Sequence, residues 1–208
     1  IKSSAASDVY KRQVMDLKDV QPYIEGKICM VTGGGGSIGS EIVRSLSKFN
    51  AEKIVIVDIY ENGAYSVKCE VGDKVAVEIA SVRDYEKMDC IMNKYRPDIV
   101  FHAAAHKHVP FMELNPEEAV KNNVKGTETV ADLAEKYNAD NFVLISTDKA
   151  VEPVSVMGAS KRCCEMYVYE KSLKSKHTKF SAVRFGNVLN SNGSVIPLFK
   201  KQIENGVV

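Results

Sequence analysis

Apolar residues along the chain follow two alternating patterns, short continuous runs and longer stretches with helical spacing. The short runs are too brief for helices and are rich in strand-forming residues, which predicts buried strands. These runs lie at 28–31, 53–57, 74–79, 99–101, 142–145 and 180–185. The longer stretches have apolar residues three or four positions apart, which predicts amphipathic helices. One predicted helix begins at Ser37, and others span 84–95, 117–137 and 157–173. A short helix is predicted within 59–70, and a further one begins at about 195.

Short strands therefore alternate with helices along the chain. In such an order each helix connects two strands that run in the same direction, by a right-handed crossover. The pattern predicts an α/β fold with a Rossmann-like, doubly wound parallel sheet.

The first predicted strand leads directly into a glycine-rich turn and a helix. Gly33, Gly36 and Gly39 follow the spacing G-x-x-G-x-x-G. In a dinucleotide site such glycines permit the tight turn, the approach of backbone to a pyrophosphate and close helix–strand packing. The N–H groups of Ser37 and Ile38, at the start of the helix, favour the phosphate charge. The segment predicts a phosphate-binding turn.

An acidic residue supports this interpretation. Asp58 ends the second predicted strand, 19 residues after Gly39, where the dinucleotide fold has a carboxylate for the adenosine ribose. A glycine pattern alone is a weak signal, because turns use glycine freely. Asp58 also favours NAD over NADP, since it leaves no room for a 2′-phosphate. NADP stays the alternative, because basic residues elsewhere can override this preference.

Composition and charge exclude several other classes of function. The formal net charge of +1 argues against a nucleic-acid binder that relies on bulk electrostatics. No apolar run in the sequence approaches membrane-spanning length. The five cysteines are odd in number and lack C-x-x-C spacing, so we predict neither a disulfide framework nor a metal site. A reducing cytoplasm is the simplest setting for them.

Residues at the ends of three later strands are candidates for chemistry, because ligands bind at the carboxyl ends of strands in such sheets. Small side chains from Ala103 to Ala105 would leave room for a flat cofactor. The next strands end in Ser146-Thr147-Asp148-Lys149 and in Arg184-Phe185-Gly186-Asn187. An adjacent acid and amine usually form a solvated ion pair, and a helix lysine such as Lys161 is usually a surface residue. Their position at this edge favours a catalytic role.

Several spaced motifs together resemble one family. The glycine turn, Ser146-Thr147 and Lys161 are similar to those of an extended short-chain dehydrogenase/reductase. The longer motifs are DIYEN at 58–62, HAAAHKHVP at 102–110, TDKA at 147–150, MGASKR at 157–162 and RFGNV at 184–188. Over residues 14–206 the chain resembles the CapD-like polysaccharide-biosynthesis proteins, nucleotide-sugar 4,6-dehydratases acting on UDP-N-acetylglucosamine.

The resemblance implies an internal redox cycle in the biosynthesis of surface polysaccharide or glycan. A bound nicotinamide cofactor takes hydride from sugar C4, water is lost across C5 and C6, and hydride returns to C6. The product is a UDP-4-keto-6-deoxy-N-acetylhexosamine. By matching positions, Asp148 would protonate the leaving C6 hydroxyl and Lys149 would remove the C5 proton. These roles need a protonated Asp148 and a neutral Lys149 near pH 7, which an ion pair would oppose.

One position departs from the usual pattern. Most short-chain dehydrogenases have Tyr-x-x-x-Lys, whereas this chain has Met157 at the tyrosine position, and a thioether is neither an acid nor a base. The large, membrane-anchored branch of the dehydratase family resembles this sequence in having methionine there. The resemblance then implies that Thr147 and Lys161 handle protons and position the nicotinamide. The sequence does not identify the group that accepts the C4 hydroxyl proton. Two alternative explanations of Met157 also stay open, a methionine of the core and an inactive enzyme.

The resemblance implies further ligand contacts. Related enzymes usually have an acidic residue at the position of Ser81. Asn123 matches a family asparagine, and its structural alternative is a polar residue that bends the helix. Residues at cofactor-contacting positions are Ser81, Val82, Ala103, Ala104, Ala105, Asn123 and Lys161. Residues at substrate-contacting positions are His106, Lys107, His108, Glu113, Arg184 and Asn187. The alternative for the two histidines is that they are loop residues exposed to solvent.

These interpretations give expectations for the whole protein. We predict a NAD(P)-binding domain over 14–186 and the start of a truncated substrate-binding portion over 187–208, with most of that smaller C-terminal domain missing. Residues 1–13 lack a hydrophobic period and are expected to be an artefact or a disordered tail. The expected partner is a UDP-sugar, and the protein is expected to be homo-oligomeric. It would be cytoplasmic, or held at the cytoplasmic face of the inner membrane by N-terminal helices that this chain lacks.

Two other functions remain open. A nucleotide-sugar C4 epimerase would use the same bound NAD but needs no C5 base, so Asp148 and Lys149 favour dehydration. A non-catalytic nucleotide-binding module is suggested by Met157 and by the truncated substrate portion.

Overall fold

The computed structural model describes residues 19–186 and residue 188. The strands are β1 (Ile28–Thr32), β2 (Lys53–Asp58), β3 (Val75–Ile79), β4 (Ile99–His102), β5 (Asn141–Thr147) and β6 (Lys179–Phe185). They form one sheet in the order β3-β2-β1-β4-β5-β6, and every neighbouring pair is parallel. The predicted Rossmann-like, doubly wound sheet is confirmed. The strand order reverses between β1 and β4, which is where such sheets bind ligands.

Helices connect the strands on both faces of the sheet. They are α1 (Gln21–Ile24), α2 (Ser37–Lys48), α3 (Glu61–Val71), α4 (Tyr85–Tyr95), α5 (Val109–Leu114), α6 (Pro116–Ala119), α7 (Gly126–Lys136) and α8 (Val156–Lys174). A π-helical segment, Val120–Lys125, joins α6 to α7, and a 3₁₀ turn, Asp148–Ala150, follows β5. Asp84 caps α4, where its carboxylate accepts a hydrogen bond from the backbone N–H of Lys87 at 3.0 Å.

The strand residues divide between two apolar layers. Met30 belongs to a buried cluster with side chains of α4, α7 and α8, whereas Cys29 and Val31 belong to a second cluster with α2 and α3. This alternation follows from the two-residue period of a strand. Central strands buried on both faces are typical of a parallel sheet that is covered by helices.

The predicted helix over 117–137 is wrong in one part. The π-helical segment adds residues to the helical turn, which changes the direction of the side chains ahead of α7. Val120 is 50% exposed, whereas Asn122 and Asn123 are buried. After the segment the predicted helix continues as α7, in which Thr127 and Val130 are both buried.

Several predictions lie outside the described residues. They are the tail over 1–13, the domain start at 14, the helix from about 195 and Asn187. Among the helices that the structure describes, none is both long and apolar enough to span a membrane.

Candidate active site

The glycine-rich turn between β1 and α2 lies in close contact with neighbouring backbone. Gly33 has φ +70°, and a Cβ atom there would lie 2.7 Å from the backbone nitrogen of Ala104. A Cβ atom on Gly39 would lie 2.1 Å from the carbonyl oxygen of Gly33, so α2 can begin against this turn only with glycine there. Gly36 is the N-cap residue of α2 and contributes no capping side chain. The positive end of the helix dipole is therefore available to an anion.

Two adjoining cavities open beside this turn. The larger one, called here the main cavity, has a volume of about 650 Å³, and the smaller, called the side cavity, has about 220 Å³. The size of the main cavity is typical of small-molecule sites. Residues that line both cavities are Gly33, Gly36, Ala103, Ala105 and His106. One elongated ligand could therefore occupy both.

The side cavity has the features of an adenosine site. Residues that line it alone include Asp58, Ser81, Val82 and Ala104. The carboxylate of Asp58 accepts hydrogen bonds from the backbone N–H of Gly35 and of Tyr60, each at 2.8 Å. These bonds orient the carboxylate and leave lone pairs for hydroxyl groups. The glycine turn and Asp58 together fit a dinucleotide.

The main cavity brings together most of the predicted catalytic and substrate residues. They come from the start of α2, from the loop after β4, from the end of β5 and from α8. The predicted residues that line the main cavity alone are Ser37, Ile38, Gly39, Lys107, His108, Thr147, Lys149, Met157 and Lys161.

Asp148 and Lys149 form an ion pair at the end of β5. The ammonium of Lys149 donates to Oδ1 of Asp148 at 3.1 Å, and the hydroxyl of Thr147 donates to the same oxygen at 3.0 Å. These bonds, that of Lys149 first, hold the pKa of Asp148 below its usual value. The side chains of Asp148 and Lys149 are 53% and 43% exposed. The described structure therefore has a charged pair, the alternative that the sequence left open.

Met157 and Lys161 lie one helical turn apart on α8, and both are buried. Met157 is 4% exposed and belongs to an apolar cluster with Met112 and Ala119. Lys161 is 5% exposed, and burial lowers the pKa of its ammonium, whereas the nearby Cys164 and Glu165 raise it. The main cavity thus has an apolar wall at Met157 and a desolvated amine beside it.

Asn123, predicted to contact the cofactor, holds the loop after β4. Its amide oxygen accepts from the backbone N–H of His106 at 2.8 Å, and its amide nitrogen donates to the carbonyl of the same residue at 3.1 Å. The nitrogen also donates to the hydroxyl of Ser160 at 2.9 Å. The side chain is 1% exposed. Asn123 therefore orients His106, which lines both cavities.

Two predicted substrate residues have protein partners. Glu113 accepts a hydrogen bond from the backbone N–H of Val156 at 2.7 Å, at the start of α8. Arg184 forms a bidentate pair with Glu165, with N–O distances of 2.9 and 2.7 Å. The pKa of Glu165 is lowered to about 2, and the pairing with Arg184 is the largest cause.

His102 has a central position that the sequence analysis did not single out. It is fully buried at the end of β4, with Nδ1 2.7 Å from the hydroxyl of Thr32 and Nε2 3.1 Å from that of Thr127. The Thr127 hydroxyl donates to the carbonyl of Asn123 at 2.6 Å. It can therefore only accept from His102, so Nε2 carries the proton and Nδ1 accepts from Thr32. Burial lowers the pKa of His102 to about 3. A polar residue inside an apolar strand was the available signal.

Residues 29–208 match the polysaccharide biosynthesis protein family. The chain is 50% identical over 214 residues to the probable polysaccharide biosynthesis protein EpsC of Bacillus subtilis, covering 99% of the chain and 36% of EpsC. It is 36% identical to a UDP-N-acetylglucosamine 4,6-dehydratase (inverting) of Campylobacter jejuni, covering 87% of the chain and 55% of the dehydratase. It is 41% identical to a UDP-glucose 4-epimerase of Rickettsia canadensis, covering 86% of the chain and 54% of the epimerase.

A solved structure shows the same fold. The structure of Pen from Bacillus thuringiensis has 34% sequence identity and a TM-score of 0.82, covering 88% of this chain and 58% of that one. The chain therefore spans between about a third and about three fifths of the length of these proteins. The match over 29–208, together with the glycine turn and the residues around the main cavity, agrees with the resemblance found in the sequence. The chain belongs to the polysaccharide biosynthesis protein family, as a CapD-like extended short-chain dehydrogenase/reductase.

Proposed function

We propose that the protein containing this chain is a nucleotide-sugar 4,6-dehydratase that acts on UDP-N-acetylglucosamine and yields a UDP-4-keto-6-deoxy-N-acetylhexosamine. The observation that carries the proposal is the hydrogen-bonded pair of Asp148 and Lys149, of which Lys149 lines the main cavity. Dehydration needs one acid and one base on adjacent sugar carbons, and this pair supplies both. The related Campylobacter jejuni dehydratase supports the same reaction class.

The charged state of the pair fits this role once the pair is covered by a sugar. Removal of water penalises two separated charges. Transfer of one proton from the Nζ atom of Lys149 to Oδ1 of Asp148, across the 3.1 Å hydrogen bond, converts the ion pair into two neutral groups. These are the carboxylic acid that protonates the C6 hydroxyl and the amine that removes the C5 proton.

The dinucleotide in this proposal is NAD, held by the glycine turn and by Asp58. When bound, NAD would supply the hydride acceptor for oxidation at C4 and the hydride donor for reduction at C6. The buried Lys161 lies beside Met157 in the lining of the main cavity, and in this proposal its amine would position the nicotinamide. The narrow alanine segment from Ala103 to Ala105 leaves room for flat rings next to the glycine turn.

A C4 epimerase is the second candidate, and a specific observation favours it. The Rickettsia canadensis epimerase is 41% identical to the chain, more than the 36% of the dehydratase. Epimerisation needs no C5 base, so it leaves the Asp148–Lys149 pair without a chemical task. For this reason dehydration is preferred.

The test is turnover of UDP-N-acetylglucosamine by the whole protein, followed by NMR in deuterated water. We expect a 4-keto-6-deoxy product with solvent deuterium at C5. Lys149→Ala should lower kcat by about 10²–10⁴-fold, the usual contribution of a general base. The matched control is Lys174→Ala, which removes an exposed lysine at the end of α8 and should leave kcat unchanged.

Each other result contradicts the proposal. Interconversion to the C4 epimer without loss of water would replace it by the epimerase. An absence of turnover with dinucleotide bound would favour another nucleotide sugar or a binding module. Dehydration at an unchanged rate in Lys149→Ala would remove Lys149 from the role of base.

A further inference from the structure

A buried carboxylate outside the lining of the main cavity contacts Ser146, which lines that cavity. Glu165 is 8% exposed on α8 and accepts four hydrogen bonds. Its Oε1 atom accepts from the hydroxyl of Ser146 at 2.6 Å and from Nε of Arg184 at 2.9 Å. Its Oε2 atom accepts from Nη2 of Arg184 at 2.7 Å and from Nη1 of Arg162 at 3.3 Å. Both oxygens are therefore fully engaged, by partners on three elements.

These contacts lead directly to the active-site segment. Ser146 is the residue before Thr147, so its bond to Glu165 fixes the end of β5 at the point where the 3₁₀ turn with Asp148 and Lys149 begins. Arg184 ties the adjacent end of β6 to the same carboxylate. Glu165 thus connects two strand ends to α8.

The same side chain lies on the face of α8 that carries Met157 and Lys161. Met157, Lys161 and Glu165 are four residues apart, which aligns them on one side of a helix. The negative charge of Glu165 acts on Lys161 and opposes the effect of burial on that ammonium. Glu165 therefore shares a helix face with two residues that line the main cavity, Met157 and Lys161, and its charge acts on Lys161.

We propose that Glu165 is a positioning residue of this active site, which fixes the Thr147–Lys149 segment against α8 and places its negative charge one helical turn from the buried Lys161. Its effect on turnover rests on the proposed function. Its effects on the Thr147–Lys149 segment and on Lys161 do not, because both can be measured without substrate.

The titratable groups that act on Lys161 within the described residues come from two elements. Cys164 and Glu165 on α8 raise its pKa, and the buried His102 on β4, which is neutral, interacts with its charge. Arg184 and Arg162 pair with Glu165, and neither is among the causes that shift the pKa of Lys161. Loss of the Glu165 charge therefore leaves burial less opposed, and the pKa of Lys161 falls.

The test compares Glu165→Gln with Glu170→Gln in the whole protein. Glu170 is an exposed carboxylate of the same helix that pairs with Lys174, which makes it a matched control. We expect Glu165→Gln to lower the pKa of Lys161 in a ¹³C NMR titration, to shift the backbone resonances of 147–149 and to lower kcat about tenfold or more with a smaller change in KM. Glu170→Gln should change none of these.

Two further variants keep the test decisive. Ser146→Ala removes the link to β5 but keeps the charge, so it should shift the 147–149 resonances and leave the titration of Lys161 unchanged. If Glu165→Gln fails to fold, the double variant Glu165→Gln with Arg184→Gln leaves neither charge of this pair buried and unpaired. It should show the same fall in the Lys161 pKa.

A purely structural role would give a different result. In that case Glu165→Gln or the double variant would lower the melting temperature while the 147–149 resonances and the Lys161 titration stayed as in the wild type. That outcome would overturn the proposal. An inactive wild type with UDP-N-acetylglucosamine would count against the proposed function alone, since the NMR readouts would still report on Glu165.

Discussion

Met157 shows how one side chain can belong both to the core and to the lining of the main cavity. It packs with Met112 and Ala119 and is nearly buried, yet it also lines the main cavity next to Lys161. Two alternatives from the sequence, a core methionine and a site residue, are therefore compatible. Its thioether contributes shape and an apolar surface, and no proton.

This assignment predicts a mild phenotype for Met157→Leu. The substitution conserves volume, so the free energy of unfolding should fall by less than about 1.5 kcal/mol, and kcat for the nucleotide sugar should change by less than about threefold. The control is Met88→Leu, which changes a fully buried methionine of α4 away from the site. Loss of turnover in Met157→Leu with an intact fold would show that the sulfur itself takes part in the reaction.

The sequence could predict the roles of Asp148 and Lys149 but not their protonation states. Their neighbouring positions were enough to propose an acid and a base. Their protonation depends on exposure and on the distance between Nζ and Oδ1, which are properties of the folded chain.

At the scale of elements, the start of α8 determines where Met157 and Lys161 lie. Ser155 is the N-cap residue, and its hydroxyl accepts from the backbone N–H of Gly158 at 3.1 Å. Glu113, from the end of α5, accepts from the backbone N–H of Val156 at 2.7 Å. A carboxylate at a helix N-terminus stabilises the helix through its dipole.

We therefore predict that Glu113→Gln destabilises α8 without weakening substrate binding. The free energy of unfolding should fall by about 0.5–1 kcal/mol, because a charged acceptor at the helix start is replaced by a neutral one. Glu152→Gln, on the exposed loop before α8, should have no effect. Denaturant unfolding and KM are the measurements. A severalfold rise in KM with unchanged stability would instead support the predicted substrate contact of Glu113.

The π-helical segment is the element that the sequence missed. The apolar residues over 117–137 recur three or four positions apart, which predicted one unbroken helix. This spacing compares only residues close together in the chain, so it does not detect the inserted residues. The bonds of Asn123 reach 17 residues to His106 and 37 residues to Ser160. Contacts of that separation cannot be read from the pattern of one helix.

For the molecule as a whole, the buried His102 predicts how stability depends on pH. Its folded pKa of about 3 lies below the unfolded value of about 6.5. Below about pH 6.5 the unfolded chain binds a proton that the folded chain cannot, so stability is lost as the pH falls. Between about pH 7.5 and pH 5.5 this loss amounts to about 1.4 kcal/mol.

His102→Gln should flatten this part of the pH profile. Glutamine can donate to one threonine and accept from the other, but it does not titrate in this range. His177→Gln changes a histidine whose side chain is 55% exposed and serves as the control. Denaturant unfolding at the two pH values measures the effect. A profile as steep in His102→Gln as in the wild type would assign the pH dependence to other groups.

The sequence by itself determined the alternation of strands and helices, the glycine turn and the carboxylate of Asp58, because these depend on residues close together in the chain. Only the tertiary structure decided the π-helical segment, the ion pair of Asp148 with Lys149, the neutral His102 and the bonds of Glu165. Burial and hydrogen-bond partners determine protonation, and His102 and Glu165 have partners that lie 19 to 70 residues away in the sequence.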